Sequence, residues 1–145
     1  IYADGRHADI LCVPQGSASP ITKERLAENS HKLCMAGREV FKLAVRGIAD
    51  VSERVMQSVG MSLDDIDWYV SHQANKRILD AVGKQLELPA EKVLINVNRY
   101  GNTSAATIPI LLAEAEAEGK IKQGDLVLLS AFGGGLTWGA TLIRW

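Results

Sequence analysis

Long apolar runs are missing from this 145-residue chain. Nothing approaches the about 18 consecutive apolar residues of a membrane span, and no charged segment followed by an apolar one suggests a secretory signal. An excess of either charge is missing as well. Sixteen basic against 17 acidic residues leave a formal net charge of −1, so no global field draws the molecule to nucleic acid or an anionic membrane. Cysteine is scarce. Cys12 and Cys34 form neither a C-x-x-C pair nor a zinc pattern with the three histidines, and a core this large needs no disulfide framework. A reduced, cytoplasmic protein without metal is therefore expected.

The familiar chemical signatures are missing too. There is no G-x-S-x-G, G-x-x-x-x-G-K-[ST], H-E-x-x-H or G-x-G-x-x-G, which removes the hydrolase elbow, nucleotide loop, zincin and dinucleotide fingerprints. The initiator methionine is also lacking. The chain opens on Ile1, and "IYADG" reads as the end of a strand entering a turn, so a fragment or a processed product is expected.

What is present is 47% hydrophobic, enough for one domain over residues 1–145 that buries roughly two thirds of its unfolded surface. Val40, Phe41, Ala44, Val45, Ile48, Val51, Val55 and Val59 recur at helical spacing and predict a long helix between Met35 and Val59. Ser62 and Asp65 have capping-box spacing, and "DWYVS" follows as a short strand. Ile78, Leu79, Val82 and Leu86 mark a second helix ending before Pro89. "KVLINV" predicts a buried strand, "TSAATIPILLAEAEAEG" a third helix closed by Gly119, and "DLVLLSAF" and "LTWGATLIRW" two more strands. With "ADILCVP" as a first strand, the order β-α-β-α-β-α-β-β predicts an α/β fold with a mixed, mostly parallel sheet and helices on both faces.

In such sheets functional groups gather beyond the carboxyl ends of strands. Three of these ends are unusual: "SHQAN", "NRYGNTS" and "AFGGG". His72, Asn102 and Phe132 with Gly133 and Gly134 are expected to converge on one crevice. Each has a plainer reading. His72 could bond a neighbouring carbonyl, Asn102 could be a helix N-cap, and Gly133 to Gly135 could only relieve crowding in a turn. Side by side, a neutral imidazole and a carboxamide both offer N–H to one oxygen, which suits an acyl thioester that becomes an enolate. No nucleophile is evident; Cys34, near a helix start, is a weak candidate against a structural thiol.

"SHQANKRI", "NRYGNTSAATIP", "GDLVLLSAFGGGLTWGA" and "MAGREVFKLAV" together resemble the C-terminal half of β-ketoacyl-acyl-carrier-protein synthase III, over nearly the whole chain. The resemblance implies the second half of a thiolase-type fold. It also implies a Cys-His-Asn triad to which His72 and Asn102 belong, while the cysteine lies in the other half. Phe132 and the glycines would line the site and its oxyanion hole. Gly37, Phe41, Ala74 and Asn75 would line a pantetheine channel, and Arg77 and Lys84 would meet an acidic carrier protein. Those two could equally be a solvated basic face, with Asp80 pairing Lys84.

The implied reaction joins a short acyl group from acetyl-CoA to malonyl on acyl carrier protein, which are substrates; no cofactor is implied. The implied partners are the N-terminal half and, in the complete protein, a homodimer. Two alternatives stand beside this: a related synthase of a secondary pathway, or a non-catalytic CoA or acyl-carrier binding module. The chain alone is expected to be inactive in condensation and to expose an apolar face, such as that of "TSAATIPILLAEA".

Overall fold

In the computed structural model, which describes residues 1–16 and 19–145, the elements follow in the order β1 (Tyr2–Ala3), β2 (Leu11–Cys12), α1 (Lys23–Ala27), β3 (Cys34–Met35), α2 (Gly37–Ser58), β4 (Trp68–Ser71), α3 (Lys76–Gln85), α4 (Val97–Tyr100), α5 (Thr107–Ala117), β5 (Leu126–Gly133) and β6 (Thr137–Arg144). The main sheet runs β1-β6-β5-β4, and β2 pairs with β3 in a separate antiparallel ribbon.

Side chains alternate across the sheet, so each face acquires its own core. Tyr69 and Leu128 lie on one face with Ala44, Ile48 and Met56 of α2 and Val82 of α3. Val70 and Val127 lie on the other, against Leu111 and Ala115 of α5. Burying an aliphatic side chain such as Ile48 or Leu128, both almost wholly enclosed, contributes about 1.5–3 kcal/mol. Helix α2 runs close over β6 at Gly47, where an added Cβ would touch the Trp138 ring at 3.4 Å. A larger residue there would lever the helix off the sheet.

The long helix, the strand "WYVS", the capping box (Ser62 N–H to Asp65 Oδ2, 2.7 Å) and the two C-terminal strands match the expectations. Gly119, with φ +67°, follows α5 as its left-handed terminator.

Three expectations are corrected. The sheet is mixed and holds helices on both faces, but it is not mostly parallel. Among the described strands β4 and β5 alone pair in parallel, while β5–β6 and β6–β1 are antiparallel, because the tight glycine turn after β5 returns the chain directly. "ADILCVP" is not a strand of that sheet. Asp4 Oδ1 caps the Arg6 N–H at 3.0 Å and starts 3₁₀ turns over Gly5–Ile10, leaving only Leu11 and Cys12 extended. The edge position beside β6 goes to Tyr2 and Ala3, the strand end read in "IYADG".

The third correction is "KVLINV", which makes a single parallel bridge between Val93 and Tyr69. Leu94 N–H reaches Tyr69 O at 3.0 Å, but the next amides, of Asn96 and Val97, go to Gln73 Oε1 at 2.9 and 3.2 Å. A side chain has replaced the strand ladder.

Candidate active site

Strand β4 ends at Ser71 and delivers His72, whose backbone N–H donates to Ser130 O at 2.8 Å on the neighbouring strand. Beneath it, Tyr69 hydroxyl bonds Ser130 Oγ at 2.6 Å, which donates to Ser71 Oγ at 2.9 Å. This buried hydroxyl chain locks the ends of β4 and β5 in register, and burial pushes the Tyr69 phenol up from its ordinary range.

Asn102 stands on the segment between α4 and α5, and two side chains fix that segment. Gln73, fully buried, accepts the Asn96 and Val97 amides through Oε1 and donates through Nε2 to Ser71 O at 2.8 Å and Leu94 O at 3.4 Å. Glu114 of α5 accepts from Asn96 Nδ2 at 2.7 Å and from the Tyr100 hydroxyl, and pairs with Arg99 at 3.1 Å. The Asn96 bond, followed by that of Tyr100, holds the Glu114 carboxyl below the usual carboxylate range.

His72 and Asn102 are tied to one another through Ser104. Its backbone is left-handed, with φ +55°, and its N–H donates to Asn102 Oδ1 at 2.9 Å. With Oδ1 engaged, the carboxamide has only its NH₂ to offer. Thr107 Oγ1 lies 2.6 Å from His72 Nδ1 and 3.0 Å from Ser104 O, a carbonyl that also accepts the Thr107 backbone N–H and has lone pairs for both. The hydroxyl has one proton for these two acceptors: given to Nδ1 it leaves the ring hydrogen on Nε2, and given to Ser104 O it leaves Nδ1–H to donate to Oγ1. Burial lowers the His72 pKa from its ordinary 6.5, so the ring stays neutral at neutral pH.

Asn102 is not the helix N-cap of its plainer reading, since Thr103 and Ala106 hold the cap positions of the 3₁₀ turn and of α5; its Oδ1 closes a local turn onto Ser104 N–H and leaves the NH₂ for other partners. His72 bonds a hydroxyl rather than a carbonyl.

His72, Asn102, Phe132, Gly133 and Gly134 line one cavity of about 740 Å³ at the carboxyl ends of β4 and β5. The glycine turn beside it demands glycine at Gly135. There φ is +143°, and an added Cβ would meet Thr137 Cγ2 at 2.9 Å.

A profile described as 3-oxoacyl-[acyl-carrier-protein (ACP)] synthase III C terminal matches residues 56–145. The chain belongs to this family. It is 52% identical over all 145 residues to the β-ketoacyl-[acyl-carrier-protein] synthase III of Brucella canis, spanning 43% of that protein. Crystal structures of the 3-oxoacyl-ACP synthase III of Aquifex aeolicus and of the β-ketoacyl-ACP synthase III of Thermus thermophilus superpose with TM-scores of 0.87 and 0.84 at 43% and 44% identity. Each covers 99% of this chain, which accounts for 42% and 44% of theirs. The chain therefore has the fold of a thiolase-like synthase III half, and spans less than half the length of the relatives it matches.

The other residues singled out for this synthase III chain lie away from the cavity lining. Gly37 opens α2. Asn75 caps α3, its Oδ1 accepting Arg77 N–H at 2.8 Å, and the Ala74 N–H donates to His72 O at 2.9 Å. The Arg77 guanidinium sits over the Phe41 ring, 5.8 Å from its centre. Lys84 is exposed on the last turn of α3, and Asp80 pairs with Lys76 at 2.7 Å instead of with Lys84. Neither Cys12 nor Cys34 borders the cavity.

Sequence reasoning overlooked Thr107, Ser104 and Gln73. Their signals were slight: a threonine at an apolar helix position, and a glutamine in a strand-end motif already singled out for its histidine. Among the described residues no helix is long and apolar enough to cross a membrane, and no cluster of metal-ligating side chains forms. Ala105, Ala106, Pro109 and Ala113 leave an exposed apolar strip along α5 and the turn before it.

Proposed function

We propose that this chain is the carboxyl-terminal half of a β-ketoacyl-ACP synthase III, and that it stabilises the malonyl-derived enolate while the nucleophilic cysteine comes from the other half. The observation that carries the proposal is the Ser104 hub. Its N–H turns the Asn102 carboxamide, and its carbonyl stands beside the Thr107 hydroxyl that meets His72 Nδ1; in the proposed arrangement that hydroxyl gives its proton to Nδ1, so that both residues have N–H groups to give.

The chemistry follows from those donors. A cysteine in the absent half takes the acyl group from a short acyl-CoA, acetyl-CoA by resemblance, and malonyl on its carrier then enters. His72 Nε2–H and Asn102 Nδ2–H hold the malonyl thioester oxygen as the bond to the carboxylate breaks and carbon dioxide leaves. The electron pair becomes the enolate, whose carbon attacks the acyl-cysteine carbonyl; a C–C bond forms, and the C–S bond breaks to release the thiolate. A neutral His72 suits this step, since the oxygen is steadied without donating a full proton. Backbone N–H groups of Gly133 and Gly134 serve the oxyanion of the acyl-enzyme step.

The pantetheine arm would run past Gly37, Phe41, Ala74 and Asn75. The carrier protein would dock on Arg77 and Lys84, and the complete protein would be a dimer that needs no cofactor. The chain alone would not condense.

The test is malonyl-thioester decarboxylation in a synthase completed with the amino-terminal half. His72→Ala or Asn102→Ala should each slow carbon dioxide release by about 10²- to 10³-fold, the cost of one oxyanion donor, while acylation of the cysteine continues. Decarboxylation at the unaltered rate in both variants would refute the proposal.

A further inference from the structure

The two cysteines, far apart in sequence, are brought together by the fold. In the β2–β3 ribbon Cys12 stands directly opposite Cys34, one step along from the Leu11–Met35 pair. Directly opposed residues of an antiparallel pair point to the same face, with Cα atoms about 4.5–5.5 Å apart. A disulfide spans about 4.4–6.8 Å between Cα atoms, so the backbone already has the required separation. The Cβ atoms need to close by about 1–2 Å, from the cross-strand spacing to that of a disulfide.

Neither thiol is committed elsewhere in a way that would hold it back. Cys34 is exposed and Cys12 partly so, and their sulfurs make only weak contacts, 3.8 Å to Lys32 O and 3.6 Å to Asp9 O. Nor do the mechanism or the core need them.

We propose that Cys12 and Cys34 are a redox-responsive pair that closes into a cross-strand disulfide. With a low-molecular-weight disulfide as oxidant, the Cys34 thiolate attacks one of its sulfurs and expels one thiolate, leaving a mixed disulfide. The Cys12 thiolate then attacks Cys34 Sγ and expels the second. Two protein thiols lose two electrons and two protons, and the oxidant is reduced to two thiols.

The ribbon's position gives the bond a consequence. Leu11 O would lie 3.2 Å from a Cβ placed on Gly134, so β2 abuts the glycine turn of the cavity. At the same end, one step beyond Leu11–Met35, Ala36 N–H donates to Ile10 O at 2.8 Å, immediately before Gly37 and α2. Closing Cys12 to Cys34 therefore pins the segment joining the glycine turn to the start of α2. If the proposed function holds, this is the path of the pantetheine arm; the disulfide itself does not depend on that function.

The test treats the purified chain with oxidised glutathione, quenches with acid and reads intact mass and peptide links. The expected product has lost two hydrogens and carries a Cys12–Cys34 link. Cys12→Ser and Cys34→Ser should each stop at one stable glutathione adduct. Closure should be favoured over the mixed disulfide by at least about tenfold relative to the same chain in denaturant, because the ribbon raises the effective concentration of the two thiols. Stable glutathione adducts on the unaltered chain, disulfides only between molecules, or no reaction would each overturn the proposal.

Discussion

Replacing Thr107 with valine removes one hydroxyl while nearly conserving shape, and so tests how the His72 tautomer is set. In the proposed arrangement the hydroxyl, 2.6 Å from Nδ1, donates to the lone pair there and so favours the neutral ring with hydrogen on Nε2. Losing that donation, a net hydrogen-bond contribution of about 0.5–1.5 kcal/mol, should raise the His72 pKa in Thr107→Val. The same energy lost from the enolate-stabilising arrangement should slow decarboxylation about 2- to 12-fold in the completed enzyme. Imidazole nitrogen NMR of the chain, with His72 assigned by its own substitution, reads tautomer and pKa together. The parent should show hydrogen on Nε2, Thr107→Val a mixture of tautomers, and Thr107→Ser the parent pattern. Hydrogen on Nδ1 in the parent, or no change in Thr107→Val, would refute the reasoning.

Because the folded pKa of His72 lies below its ordinary 6.5, the unfolded chain binds the extra proton first as pH falls. Stability is therefore full above about pH 6.5 and declines as pH drops through the folded pKa; urea unfolding across that window should show the slope, reduced in His72→Gln. Decarboxylation in the completed enzyme should likewise persist below about pH 6.5, and a loss centred at or above that value would contradict a neutral His72 held by burial. Gln73→Leu strips the Asn96 and Val97 amides of their buried acceptor and should cost about 3–5 kcal/mol in urea unfolding; a loss under about 1 kcal/mol would show that the segment is held otherwise. Arg77→Glu should weaken binding of malonyl carrier to the completed enzyme, and unchanged affinity would remove α3 from the docking surface.

The parts of the fold legible in the sequence were those with their own periodicity. Val40, Ala44, Ile48 and Val51 spaced α2, and the apolar run from Leu126 marked the central strand. The convergence of His72, Asn102 and Phe132 was also legible, since topology places strand ends on a common rim. What escaped was structure made by side chains standing in for backbone. "KVLINV" has the composition of a buried strand, yet the Gln73 carboxamide takes the amides that a neighbouring strand would have paired. Asp4 did the same at the start of the chain, drawing the first three residues of "ADILCVP" into helical turns and leaving Leu11 and Cys12 extended. Ser104 and Thr107 were hidden for a related reason: one acts through its peptide group and the other through a single hydroxyl proton, and neither leaves a pattern in sequence spacing.

The central claim is that this chain holds the enolate-stabilising half of a divided site and no nucleophile. Intact-mass measurement after exposure to acetyl-CoA, with the amino-terminal half present, tests it most directly. The account predicts one acetyl group on the amino-terminal half and none on this chain. A stable acetyl group on Cys12 or Cys34 would contradict it, because the nucleophile would then reside here.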